Sequence, residues 1–226
     1  MKVILFGASG MVGLGVLREG LLDPAVERVL VIGRRPLGQS HAKLRELIRR
    51  DVGDLTDAAG QLGGYDACFY CLGVSSAGMS ESDYRRVTYD LTLAAAQTLA
   101  PLNPAMTFIY VSGTGTDSTE QGRVMWARVK GATENALRRL PFKAVYLFRP
   151  GIIQPLHGIK SKTKSYRIFY RLFGPLLTLL RKFSPGLVTT TEQVGRAMIA
   201  VARQGAAKPI LENRDIHALQ LAGPKL

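Results

Sequence analysis

The chain has 226 residues, 46% of them hydrophobic, which is enough to bury the core of one large α/β domain. It carries 30 Lys and Arg against 17 Asp and Glu, a net charge of +13 that points to an anionic partner. It contains no low-complexity tract and no clear repeat, and the first strand candidate starts at Lys2 with no charged n-region and apolar run ahead of it. These features argue against a secretory signal, and the expectation is a cytoplasmic protein, with a peripheral membrane location as the alternative.

Lys2–Phe6 reads as a buried strand, Gly7-Ala8-Ser9-Gly10-Met11-Val12-Gly13 as a glycine-rich turn, Gly10–Glu19 as a helix and Arg28–Ile32 as a second strand. This is a βαβ unit with a nucleotide-binding turn at its first corner. Gly7 lets the chain turn off the strand, Gly10 lets the backbone approach a pyrophosphate, and Gly13 lets the helix pack close to the sheet. Ser9, Met11 and Val12 lie in the same turn and helix start, where backbone N–H groups face an anion. At the end of the second strand an NAD site usually places Asp or Glu for the ribose 2′-hydroxyl. Here the sequence is Gly33-Arg34-Arg35-Pro36. A guanidinium binds a 2′-phosphate where a carboxylate repels it, so Arg34 and Arg35 favour NADP over NAD.

Further along, Leu37–Leu47 has a helical pattern into which a loop intrudes, and a short strand follows near Leu47–Arg50. Ala67–Cys71 is a strand. Its Cys68 and Cys71 stand three apart and so point to opposite faces, which suits small buried side chains in a reducing compartment better than a redox pair. Ser82–Leu99 is a long alanine-rich helix, Thr107–Ser112 a strand, Met125–Leu140 a periodic helix and Ala144–Phe148 a strand. Near-continuous apolar strands alternating with helices predict an α/β, doubly wound parallel sheet, with ligands at the carboxyl ends of its strands.

After Arg149-Pro150-Gly151 the character changes. Residues 152–190 read as a small, basic, apolar substrate-side lobe within one domain spanning 1–226. Thr190 or Thr191 caps the last helix, whose apolar positions run over Val194–Ala202. From Asn135 to Thr191 there is no acidic residue. That stretch holds eleven basic ones: Arg138, Arg139, Lys143, Arg149, Lys160, Lys162, Lys164, Arg167, Arg171, Arg181 and Lys182.

Within Tyr166–Phe183 the polar positions Arg167, Arg171, Gly174, Thr178 and Arg181 form a narrow helical stripe among apolar side chains. The segment is too short and too charged to span a bilayer. Three readings stay open for 160–183: a peripheral membrane contact, a lid over the cleft, or a homodimer contact. No nucleic-acid motif accompanies the charge, and no nucleic-acid partner or metal site is expected.

Taken together, the glycine turn, Arg34, Asp54-Leu55 after the third strand, Cys71-Leu72-Gly73 after the fourth and Pro150-Gly151-Ile152 after the sixth resemble the atypical short-chain dehydrogenase/reductases. Within that group the likeness is to the epimerase-like and NmrA-like branch. It covers about residues 1–155 well and 186–203 loosely. It implies a Rossmann fold in which the glycine turn holds the pyrophosphate and Arg34 the 2′-phosphate. Asp54 and Leu55 would contact the adenine, Cys71, Leu72 and Gly73 would line its ribose, and Pro150, Gly151 and Ile152 would flank the nicotinamide.

The family's catalytic set is a Ser at the end of the fifth strand and a Tyr-x-x-x-Lys on the next helix. Ser112 and Lys130 match it: Ser112 would polarise a carbonyl and Lys130 would hold the nicotinamide ribose. The Tyr position is Trp126, in Trp126-Ala127-Arg128-Val129-Lys130. An indole N–H donates but does not titrate usefully, so Trp126 is no general acid. Two readings follow. One is an NADP-dependent oxidoreductase acting on a small carbonyl or quinone-like, apolar substrate. The other is an NADP-binding regulatory or scaffold protein with little or no turnover.

Overall fold

The computed structural model describes residues 1–159 and 187–221. In chain order the elements are β1 (Lys2–Phe6), α1 (Met11–Leu22), β2 (Arg28–Gly33), β3 (Leu44–Ile48), α2 (Ala59–Leu62), β4 (Ala67–Tyr70), α3 (Glu81–Arg85) and α4 (Leu91–Leu102). They continue with β5 (Thr107–Val111), α5 (Met125–Leu137), β6 (Ala144–Arg149), β7 (Ile152–Gln154), β8 (Val188–Thr190), α6 (Thr191–Gln204), β9 (Ile210–Glu212) and α7 (Asn213–Leu221).

Seven parallel strands form one sheet in the order β3-β2-β1-β4-β5-β6-β9, and β7 and β8 pair separately, also in parallel. The chain runs outward from β1 to β3, then returns to lay β4 on the other side of β1. This reversal opens a crevice at the carboxyl ends of β1 and β4, where ligands of such sheets bind.

The strands are apolar because both faces are covered. On one face Ile4, Phe6, Cys68, Tyr70, Phe108, Tyr110 and Leu147 pack with Leu93, Ala96 and Leu99 of α4. On the other, Val3, Leu5, Phe69, Ile109 and Phe148 meet Val16 and Leu17 of α1 and Val194, Ala197, Met198 and Val201 of α6. Each fully buried large apolar side chain contributes about 1.5–3 kcal/mol, so this two-sided burial fixes the register. Cys68 belongs to the first cluster and Cys71 packs against the second; both are free thiols on opposite faces.

Two helices contact each other closely across α1 and α6. A Cβ on Gly15 would fall 2.5 Å from the Thr191 side chain, and one on Gly195 would fall 2.8 Å from Glu19. The start of α6 is a capping box: the Gln193 N–H donates to Thr190 Oγ1 at 3.0 Å and the Thr190 N–H to Gln193 Oε1 at 2.9 Å. Thr190, not Thr191, is therefore the cap.

Three sequence expectations need correction. The Leu37–Leu47 helix does not form: Gly38 sits at φ +71°, and β3 pairs with β2 from Leu44 onward. Glu46, on that strand, takes the Leu37 N–H at 2.9 Å. The third strand consequently ends at Ile48 instead of near Arg50. The long helix expected over Ser82–Leu99 is two α segments joined by a turn of wider, π-type winding at Arg86–Asp90. The Tyr166–Phe183 segment, with its membrane, lid and dimer readings, lies outside the described residues.

Candidate active site

At the first corner of the sheet Gly7 has φ +80°, and a Cβ there would sit 2.6 Å from the backbone of Cys71 and Leu72. The turn is thus wedged against the end of β4, and only glycine fits. A Cβ on Gly13 would come within 2.1 Å of the Gly7 carbonyl oxygen, so the first turn of α1 lies directly on the loop. A Cβ on Gly10 would meet only that same oxygen, at 3.3 Å, which leaves its outer side open. Gly10 supplies no side-chain cap to α1, so the N–H groups of Met11, Val12 and Gly13 sit where helix starts receive anions.

Beside this turn lies a cleft of about 610 Å³ whose lining includes Gly7, Ala8, Ser9, Ile32, Gly33, Arg34, Arg35, Pro36, Leu37, Arg50, Val52 and Leu72. It unites the phosphate turn with three guanidinium side chains. Arg34 and Arg35 were expected there; Arg50 and Val52 were not.

Asp54 and Leu55, expected at the adenine, are not in that lining. Leu55 is 0% exposed, inside the core under β3. Asp54 faces a second hollow, of about 600 Å³, shared with Asp51, Thr56, Arg86 and Asp90. Its carboxylate accepts from the Thr56 hydroxyl at 2.7 Å and the Thr56 N–H at 3.3 Å, and these bonds hold its pKa below the usual range.

Leu72 lines the cleft, Cys71 is partly buried behind it and Gly73 is exposed. At the end of β6, the Gly151 N–H donates to Asn213 Oδ1 at 3.0 Å. Thr114 secures the same turn: its N–H donates to the Pro150 carbonyl at 3.0 Å and its hydroxyl to the Arg149 carbonyl at 3.0 Å. Ile152 follows, exposed.

The catalytic positions come together, but not as expected. Lys130 is partly buried on α5 and its amine donates to the Ser112 carbonyl. Burial pushes its pKa down to about 8, against an opposing pull from the Glu134 carboxylate. The Ser112 hydroxyl turns inward and donates to Glu134 Oε1 at 2.5 Å, with a weaker contact to the Phe148 carbonyl at 3.2 Å. Glu134 is 0% exposed and forms an ion pair with Arg149. In this structure the Ser112 hydroxyl is therefore engaged by a buried network.

Trp126 lies at the start of α5, partly exposed, with its ring edge 3.5 Å from where a Gly115 Cβ would be. Tyr110 is buried at 1% exposure and its phenol is pushed far up by burial, so it offers no replacement acid. Tyr84 is likewise buried and raised. His157 is tied to Glu192 at 2.7 Å on the outer end of α6. Among the described residues no group of three or more His, Cys, Asp or Glu is placed to hold a metal ion, and no helix is long and apolar enough to cross a membrane.

The sheet order and the glycine cradle define a Rossmann-type α/β fold with a glycine-rich turn at its first corner, the fold that the resemblance implied. No protein-family model matches the chain. Protein HTATIP2 of Rattus norvegicus is 28% identical over 231 residues, covering 100% of this chain and 92% of the rat protein. The protein fmp52, mitochondrial, of Emericella nidulans is 27% identical over 206 residues, covering 88% of this chain and 85% of its own length.

Among solved structures, Bordetella bronchiseptica WbmF in complex with NAD+ superposes with a TM-score of 0.66 at 15% identity, over 97% of this chain and 76% of that one. An oxidoreductase of the short-chain dehydrogenase/reductase family from Burkholderia thailandensis gives 0.64 at 16% identity, over 93% and 89%.

The cytoplasmic expectation is overturned. Five fungal relatives are named as mitochondrial proteins. Two free thiols indicate only that thiols stay reduced and do not single out the cytoplasm.

Proposed function

We propose that the protein binds NADP(H) and transfers hydride between it and an apolar, quinone-like acceptor. The observation that carries the cofactor reading is the joining of Arg34, Arg35 and Arg50 to the phosphate turn in one cleft. A 2′-phosphate at the adenosine end would meet guanidinium groups from the ends of both β2 and β3. Charge-assisted contacts of this kind contribute about 1.5–3 kcal/mol each, enough to favour NADP over NAD by tenfold or more. The glycine cradle fits the pyrophosphate, since a side chain at Gly7 or Gly13 would collide with backbone.

When bound, a nicotinamide would supply or accept the hydride. Lys130 would hold its ribose, and the Pro150-Gly151 turn, pinned by Thr114 and Asn213, would shape the pocket beside it. Reduction of a simple ketone creates an alkoxide that needs a proton in the transition state. Here the family's Tyr is Trp126 and the Ser112 hydroxyl is engaged by Glu134. A quinone spreads the added charge over its ring and needs no protein acid. Val74 after β4, Val124 ahead of α5, Ile152 at the start of β7 and Leu187 ahead of β8 are exposed apolar side chains, which favours an apolar substrate.

The test is NADPH oxidation with a soluble short-chain quinone and with an aliphatic aldehyde. The expected result is turnover of the quinone and little of the aldehyde. Binding of NADPH without turnover of either would favour the second reading, an NADP-binding regulatory or scaffold protein, which Trp126 and the engaged Ser112 independently support.

A further inference from the structure

We propose that Glu134 is a positioning residue for Lys130, fixing the place of its amine through Ser112 and holding its charge from one helical turn away. This rests on the reading that Lys130 meets the cofactor. Glu134 stands four residues after Lys130 on α5 and is fully buried. Its Oε1 accepts from the Ser112 hydroxyl at 2.5 Å and from Arg149 Nε at 3.0 Å, while its Oε2 pairs with the Arg149 terminal nitrogen. Ser112 is also held by its own N–H, which donates to the Phe148 carbonyl at 2.8 Å. Its remaining acceptor, the carbonyl oxygen, receives the Lys130 amine. The chain of contacts thus runs from Arg149 to Glu134, to Ser112, to Lys130.

Arg149 is itself anchored from outside the helix. It donates to Ser118 Oγ at 2.6 Å and approaches Glu212 of β9 at 3.5 Å. Ser112 and Arg149 thus bond the Glu134 carboxylate directly, and Ser118 and Glu212 hold Arg149 in turn. Such a pair is costly to bury, and an apolar pair of the same volume would serve stability as well. What the ionic version adds is a fixed acceptor and a negative charge one helical turn from Lys130.

The groups around Lys130 leave Glu134 as the charge that acts on it directly. Trp126, one turn earlier on α5, carries none. Ser112 follows β5, and two residues before it on that strand Tyr110 is a buried phenol held neutral. Tyr84 of α3 is a second phenol raised by burial. Arg149 of β6 reaches Lys130 only through Glu134. Burial alone would drive the amine toward its neutral form, and Glu134 opposes this.

The test is a pH titration of the full chain labelled with carbon-13 at lysine Cε, with the Lys130 signal identified by its loss in Lys130→Arg. The variants are Glu134→Gln and the double variant Glu134→Gln/Arg149→Met. The double variant removes both buried charges and keeps an acceptor for Ser112, so it is expected to fold even where the single variant leaves Arg149 unmatched. In the wild type Lys130 should titrate near 8. In either folded variant its proton affinity should fall at least tenfold while other lysines stay put. An unchanged Lys130 titration in a folded variant overturns the proposal.

NADPH affinity measured across the same pH range separates the two readings. If the Lys130 titration moves and NADPH affinity moves with it, both stand. If the titration moves and NADPH affinity does not follow, the positioning role stands and the placement of Lys130 at the cofactor fails.

Discussion

The Ser112 hydroxyl donates to the Glu134 carboxylate at 2.5 Å, inside the protein and away from the cleft. The residue that matches a catalytic serine by sequence is thereby part of the frame. Ser112→Ala should destabilise the fold by about 1–3 kcal/mol, the cost of losing a buried hydrogen bond to a charged group. NADPH affinity should change by less than about threefold, because Ser112 is not among the residues lining the cleft beside the phosphate turn. Denaturant unfolding and calorimetric titration of the same preparation check both halves. A loss of turnover with unchanged stability would return Ser112 to a catalytic role.

Trp126→Tyr restores a titratable donor one turn before Lys130. A positioned general acid contributes about 10²–10⁴-fold. With Ser112 still engaged by Glu134 the gain should fall at the low end, on the order of 10² in kcat/KM for an aldehyde, and quinone turnover should change little. The check is parallel NADPH oxidation assays on both substrates. No gain in a folded variant that still binds NADPH would count against a latent carbonyl site.

Lys130 titrates near 8, below its ordinary range, because burial disfavours its charge. The sign follows directly. Below about pH 8 the folded protein carries a buried cation that the unfolded chain holds in water, so this group opposes folding there. As pH rises above 8 toward the unfolded value of about 10.4, the folded state loses the proton first and this penalty is relieved. Stability from this group alone therefore rises across that window. NADPH binding that uses the Lys130 cation should weaken across the same window. Affinity measured at pH 7 and pH 9 checks this, and Lys130→Met should flatten the difference.

Gly13→Ala places a methyl 2.1 Å from the Gly7 carbonyl oxygen, against backbone that cannot yield cheaply. The expected result is a stability loss of about 1–3 kcal/mol and at least tenfold weaker NADPH binding, since the phosphate turn must shift. Thermal unfolding with and without NADPH measures both.

The first corner of the fold was legible because its constraints are local. Gly7, Gly10 and Gly13 answer to collisions within a few residues of themselves, and the strand periodicity of β1, β2, β4, β5 and β6 reflects burial on two faces. The same kind of local chemistry narrowed the cap to Thr190 or Thr191, and the capping box with Gln193 selects Thr190.

Long-range partners decided the rest. Leu37–Leu47 has a helical spacing, but β2 offered Leu44–Ile48 an edge to pair with, and five paired positions outweighed a weak pattern broken by Gly38. The β9 strand has three residues, too few to carry a periodicity of its own. The Glu134–Arg149 pair joins α5 to β6 across fifteen residues of sequence. Sequence spacing alone cannot show that it captures the Ser112 hydroxyl.

The most direct measurement is calorimetric titration of the protein with NADPH and NADH in parallel, repeated with Arg50→Ala and Arg34→Ala. Arg50 is the informative position, since it joins the cleft from the β3 side. The expected result is NADPH binding at least tenfold tighter than NADH, with each variant losing about tenfold for NADPH and little for NADH. Equal affinity for the two cofactors, unchanged in both variants, would contradict the 2′-phosphate site. Binding of neither would contradict the functional reading as a whole.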